Sequence, residues 1–244
     1  MNVIETAKLR KQFQNEIAVD GLNLTIKKGE LYALLGLNGA GKTTVIKMLT
    51  TILKPSSGEA TIYDYSIKKE ARPIKQLIGV SPQETAIAPN LTVRENVFLM
   101  AQIYGISKKE AEKKSTDVLS QLDLTDVEKK KAAQLSGGMQ RRLSIAMALI
   151  SDPKVLFLDE PTLGIDVIAR RELWEVIRDL KEKMTIILTT HHMEEADSLA
   201  DRIGIMAKGQ LIKTGTPAEL KEQMETSSLE AAFVSIVTKK EKRS

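Results

Sequence analysis

At 244 residues the chain is long enough to bury a full core, and 42% hydrophobic with 28% charged residues is the make-up of an ordinary globular protein. A net charge of +4, from 36 Lys+Arg against 32 Asp+Glu, is too mild to argue for nucleic acid, and zero Cys excludes a disulfide framework or a thiolate metal site, which suits the cytosol. Met1-Asn2-Val3-Ile4-Glu5 has neither the basic flank nor the apolar run of a signal peptide, and no apolar run approaches the ~20 residues that cross a bilayer. Any service to a membrane is therefore expected to go through a partner.

Leu22, Leu24 and Ile26 alternate as a strand, and the Lys27-Lys28-Gly29-Glu30 turn leads into a second, Leu31-Tyr32-Ala33-Leu34-Leu35. Next comes Gly36-Leu37-Asn38-Gly39-Ala40-Gly41-Lys42-Thr43, a glycine loop between strand and helix that fits the phosphate-binding pattern G-x-x-x-x-G-K-[ST]. Glycines let backbone N–H groups converge on one centre, and the following helix adds its positive N-terminal end. Lys42 would reach the β- and γ-phosphates, and Thr43 would ligate Mg²⁺. Val45, Met48, Leu49, Ile52 and Leu53 predict one buried helix face that stops at Lys54-Pro55-Ser56-Ser57-Gly58. Ala60-Thr61-Ile62-Tyr63 and Leu77-Ile78-Gly79-Val80 read as further strands.

From Leu91 to Leu122 the pattern is helical twice over, opened by capping boxes at Thr92 with Glu95 and Ser107 with Glu110. Val93, Val97, Met100, Ala101 and Tyr104 mark the first buried face. This stretch reads as a helical insertion. Leu135-Ser136-Gly137-Gly138-Met139-Gln140 precedes a third helix, Gly138 to Ile150, with Leu143, Met147 and Ile150 facing inward. Ser136 and the glycines at a helix N-terminus offer a second phosphate-binding surface, and two anion sites in one chain imply a shared nucleotide.

Val155-Leu156-Phe157-Leu158 is a buried strand ending in Asp159-Glu160. Asp159 fits the carboxylate that holds the metal, and Glu160 is placed to polarise the water that attacks the γ-phosphate. Asp166 caps a helix carrying Leu173, Val176, Ile177 and Leu180, and Thr185-Ile186-Ile187-Leu188 is again a strand. Continuously apolar strands between amphipathic helices argue for a parallel sheet covered on both faces. A hairpin around Ala207-Lys208-Gly209-Gln210 follows, then a short helix opened by Thr216, Pro217 and Glu219. The last ten residues, with Lys239, Lys240, Lys242 and Arg243, read as a frayed, solvated basic tail. Trp174 and the nine Met residues read as packing.

Taken together these segments resemble the nucleotide-binding domain of the ATP-binding cassette (ABC) ATPases over nearly all of residues 1–224, with a helical subdomain at about 84–150 and a short extension at 225–244. The resemblance implies an α/β fold: a P-loop NTPase (RecA-like) core with a parallel sheet, an N-terminal antiparallel β subdomain and the α-helical insertion. It assigns ATP to Gly36, Leu37, Asn38, Gly39, Ala40, Gly41, Lys42, Thr43 and Thr44, and Mg²⁺ to Thr43, Gln83 and Asp159. Catalysis falls to Glu160, to Gln83 in Val80-Ser81-Pro82-Gln83, and to the switch histidine His191, with His192 incidental. Ser136, Gly137, Gly138 and Gln140 belong to the signature segment that closes over ATP held by the opposite subunit. Leu163-Gly164-Ile165-Asp166 resembles the loop bridging the subunits, though Leu163 stands where many members carry a small polar residue. Phe13 lies where the family stacks an aromatic on adenine; the residue pattern alone also allows a core Phe, as the lesser alternative. Thr189 to Asp197 and Gly215 to Leu220 resemble the branch that energises drug and antibiotic export through a separate permease chain. The expectation is a cytoplasmic ATPase on the inner face of the membrane, a homodimer or paired with a paralogue, bound to an integral membrane permease and not to nucleic acid. The rival is a non-transport ABC ATPase acting on nucleic acid or ribosomes, which usually shows two cassettes, a coiled-coil insertion or zinc-binding cysteines.

Overall fold

Period-two alternation at the start of the chain yields two long strands. β1 (Asn2–Phe13) and β2 (Glu16–Lys27) pair antiparallel with Ile4 opposite Ile26 and Leu9 opposite Leu22, which places one apolar row on the buried face. β3 (Leu31–Leu35), buried at every residue, leads through the glycine loop into α1 (Lys42–Leu49). β4 (Ser57–Ile62) and β5 (Tyr65–Ser66) complete a four-stranded sheet in the order β2-β1-β4-β5. α1 is shorter than the apolar spacing predicts: Thr50 Oγ1 donates to the Ile46 carbonyl at 2.8 Å, and Thr51 takes a left-handed φ of 61°. The chain turns away there, and Ile52 is exposed instead of joining the buried face.

The computed structural model describes residues 1–241, which form two compact units: Met1–Lys75 with the chain from Met184 onward, and Gln76–Lys183. α2 (Ala71–Leu77) crosses the first boundary. In the second unit β6 (Ile78–Ser81) pairs parallel with β7 (Val155–Asp159), Ser81 opposite Leu158. Between them come α3 (Val93–Ile103), α4 (Lys108–Gln121) and α5 (Gly137–Leu149), and α6 (Val167–Lys181) follows β7. The Thr92 capping box is complete in both directions, and Ser107 accepts from the Glu110 amide. Tyr104, expected on the buried face of α3, is exposed. Besides Val93, Val97 and Ala101 that helix fully buries the polar Asn96, whose amide accepts from Ala88 N at 2.7 Å and donates to Ala88 O at 3.1 Å and Thr92 O at 2.9 Å. It satisfies backbone groups of the loop before α3, a use of a polar side chain that apolar periodicity does not reveal.

In the first unit β3 lies between two parallel neighbours, β8 (Thr185–Thr190) and β9 (Arg202–Ala207), and β9 turns back as β10 (Gln210–Gly215). α7 (Met193–Leu199) separates β8 from β9; α8 (Pro217–Glu222) opens with the expected capping box at Thr216 and Glu219. The chain after it is not frayed as predicted. Leu229–Glu241 forms α9, which buries Leu229, Ala232, Phe233 and Ile236 against α7, α8 and β10, with Lys239 and Lys240 exposed in its last turn. Lys242 and Arg243 lie outside the described residues. No helix among the described residues is long and apolar enough to cross a membrane.

Candidate nucleotide site

The glycine loop is held from behind by backbone. A Cβ on Gly36 would lie 2.5 Å from the Met206 carbonyl oxygen, and one on Gly41 would lie 2.4 Å from that of Ala18, so β9 and β2 both approach too closely for a side chain. Gly41, the residue capping α1, also has a φ of 99°. The Gly36 amide donates to Thr190 O at 3.2 Å, and Gly209 N donates to Ala40 O at 3.2 Å. Leu37, Asn38 and Gly39 face solvent and Ala40 is buried; Thr43 and Thr44 are half-buried in the first turn of α1. Lys42 is 4% exposed, and its ammonium donates to Gly36 O at 2.7 Å and Leu37 O at 3.3 Å. A cation is thus held under a ring of backbone at a helix N-terminus, which is an anion receptor by construction.

The same unit supplies two further expected residues. His191 follows Thr190, the acceptor of the Gly36 amide, so it stands where the loop begins; its ring lies 4.1 Å, centroid to centroid, from that of His192. His192 serves as the cap of α7. Phe13 closes β1 at 45% exposure, which removes the core-Phe alternative, and Lys11 Nζ sits 5.0 Å from its ring centroid.

In the second unit Asp159 and Glu160 are 4% and 6% exposed at the end of β7. Glu160 has a left-handed φ of 47°, a conformation that costs a non-glycine residue of order 1–3 kcal/mol and gathers at functional sites. A residue not singled out from the sequence joins it to the loop after β6. Arg141, 3% exposed on α5, donates through Nη1 to Pro82 O at 2.6 Å and through Nη2 to Gln83 O at 2.8 Å and Glu160 O at 3.1 Å. Gln83 and Glu160 are thereby brought together, the Gln83 side chain remaining at the surface. A signal was present: Arg141 shares an i, i+4, i+7 stripe with Ile145 and Ala148, both buried, and a charge on such a stripe needs partners.

Ser136 caps α5 by accepting from Met139 N at 3.3 Å, which sets Gly137 at the surface in the first turn. Gly138 is buried, and a Cβ there would come 2.8 Å from the Ala169 Cβ of α6. The Gln140 amide donates back to Leu135 O at 3.3 Å and Ala132 O at 3.4 Å, so it braces the segment. Asp166 accepts from Ala169 N at 3.0 Å and Ile168 N at 2.9 Å; the Ala169 bond foremost holds its carboxyl below the usual range. Around it Leu163, Val167 and Ile168 are exposed, as is Met139.

Residues 19–163 match the family described as ABC transporter. The chain belongs to that family. This ABC domain binds nucleotide and is an ATPase. It is 41% identical over 219 residues to the linearmycin resistance ATP-binding protein LnrL of Bacillus subtilis, covering 89% of this chain and 70% of that one. It is 44% identical over 210 residues to the human phospholipid-transporting ATPase ABCA3, covering 86% of this chain but 12% of that much longer protein. Among solved structures, the dimeric ABC transporter cassette MJ0796 superposes with a TM-score of 0.79 at 27% identity, covering 87% of this chain and 98% of that one.

Proposed function

We propose that this ABC domain dimerises around two Mg-ATP and drives a separate membrane permease in export. The observation that carries the reading is one chain holding both a phosphate loop and a second glycine-led helix start at Ser136-Gly137-Gly138, a surface suited to the same polyphosphate from the other side. The dimeric cassette with which the chain superposes supports the pairing, and the resistance protein and the phospholipid transporter among its relatives support export. Homodimer or paralogous pair, each subunit would lie on the inner face of the membrane, bound to its permease.

Each residue then has a part. Phe13 stacks on adenine, its other face held by Lys11. Backbone N–H groups from Gly36 to Thr44 cradle the phosphates, and Lys42 leaves its loop carbonyls for the β- and γ-phosphate oxygens. Thr43, Asp159 and Gln83 offer hydroxyl, carboxylate and amide oxygens, the hard donors that Mg²⁺ takes. Mg²⁺ held by these groups would neutralise the negative charge of the β- and γ-phosphates. Glu160 accepts the proton of the attacking water as the γ-phosphoryl group leaves the β-phosphate oxygen, and His191 holds the γ-phosphate. Ser136, Gly137 and Gly138 close over the nucleotide of the opposite subunit, Gln140 keeps that segment in shape, and Asp166 anchors the bridging loop. The exposed Leu99 and Ile103 of α3, with Tyr104 at its end, give the permease an apolar surface.

Copurification from membranes is the test. A membrane-embedded partner is expected; nucleic acid or ribosomes retained through a salt wash would replace transport by the non-transport reading.

A further inference from the structure

α5 begins at the Ser136-Gly137-Gly138 lid and runs along β6, and three contacts fasten the two. Arg141 grips Pro82 O and Gln83 O just past the strand, Ser144 Oγ lies 2.9 Å from Ser81 Oγ, and Ala148 O passes so close to Gly79 that a Cβ there would come within 2.3 Å of it. The three residues fall at i, i+3 and i+7 of α5, so one helix face is keyed to one strand. The third carbonyl held by Arg141 belongs to Glu160, whose left-handed backbone requires outside support to persist. A guanidinium is a planar fork with donors at fixed angles, so the positions of Gln83 and Glu160 follow that of α5. A displacement of α5 relative to β6 and β7 would disturb both loops.

We infer that Arg141 is a positioning residue that sets the placement of Glu160 and Gln83 and makes it depend on the helix carrying the lid. The inference rests on the proposed roles of Glu160 and of Ser136 to Gly138. In a dimer each protomer's lid serves the partner's ATP, whereas its Glu160 serves its own. Arg141 therefore links the two nucleotide sites through a single subunit.

The experiment compares Arg141→Ala, Arg141→Lys and Arg141→Gln in the full chain, alone and combined with Glu160→Gln. Readouts are ATPase kcat, the Kd for ATP, the Hill coefficient in ATP and the folded fraction by circular dichroism. Misplacing a reacting group by about 1 Å costs on the order of 10² in rate, so Arg141→Ala is expected to lose about tenfold to a hundredfold in kcat per folded molecule, with Kd held within about twofold. Arg141→Lys recovers part of the rate, the Hill coefficient falls toward one, and adding Arg141→Ala to Glu160→Gln costs little more. An unchanged kcat, or the same fold-loss in the wild-type and Glu160→Gln backgrounds, overturns the inference. If Arg141→Ala does not fold, the same cycle with Arg141→Lys and Arg141→Gln decides it. Wild-type protein that turns over ATP no faster than Lys42→Ala would instead overturn the ATPase roles themselves, so the two failures are distinct.

Discussion

In the proposed mechanism Glu160 supplies the carboxylate for the attacking water, and its backbone takes a conformation that L-residues avoid. Replacing it by Gly and by Ala removes the side chain in both cases, but Gly also relieves the left-handed strain. Glu160→Gly is therefore expected to be more stable than Glu160→Ala by about 1 kcal/mol and to melt at a higher temperature, while both lose turnover; equal melting temperatures would show that the turn is not strained. Glu160→Gln keeps the shape and loses the base. Its turnover should drop by about 10² to 10⁴ with ATP still bound, and normal turnover would remove Glu160 from the chemistry. Lys42→Ala should fail earlier, at nucleotide binding, because the loop loses its contact to the β- and γ-phosphates; equilibrium binding of a fluorescent ATP analogue separates the two variants. Motifs such as these could be singled out because their residues are adjacent in the sequence. For Arg141 only the apolar stripe it shares hinted at burial; its partners could not be read, since they are backbone carbonyls of Pro82, Gln83 and Glu160, which leave no side-chain pattern.

At the level of elements, the edge of the first unit's parallel strands is tuned around Tyr32. Its hydroxyl lies 3.1 Å from Thr214 Oγ1 of β10 and only 2.2 Å from where a Cβ on Gly204 of β9 would stand. Gly204→Ala should cost about 1–3 kcal/mol through overpacking, and combining it with Tyr32→Phe should return part of that loss, measured by denaturant unfolding. Burial pushes the Tyr32 hydroxyl up to about 12, against an ordinary value of 10.0. The unfolded chain thus gives up this proton first as pH rises. The stabilisation is complete below pH 10 and is lost as pH climbs toward 12, on the order of 2–3 kcal/mol; in Tyr32→Phe that part of the alkaline slope should vanish. Elements were legible where periodicity and caps agree, as in α3, α5 and α6. They were misread where a hydroxyl or a single left-handed residue ends a pattern that apolar spacing would prolong, as at Thr50 and Thr51. For α9 the spacing of Leu229, Ala232, Phe233 and Ile236 already spelled a buried helix face, and the basic residues behind it drew the reading toward a solvated tail.

For the molecule as a whole, a shared nucleotide predicts that ATPase activity rises faster than linearly with protein concentration; strict proportionality down to dilute protein would count against a dimer formed on ATP binding. The exposed Leu163, Val167 and Ile168 around Asp166 would offer apolar surface to the proposed association. The chain path adds a consequence for biogenesis. β3 sets the phosphate loop in place, yet both its neighbours, β8 and β9, come more than 140 residues later, after the whole of Gln76–Lys183. As the polypeptide leaves the ribosome, β3, which carries the proposed phosphate loop, waits as an unpaired apolar strand while the interposed unit assembles. Nucleotide capture is therefore acquired late, when β9 docks, and a nascent chain stalled before Arg202 should be unable to retain ATP however long it is given.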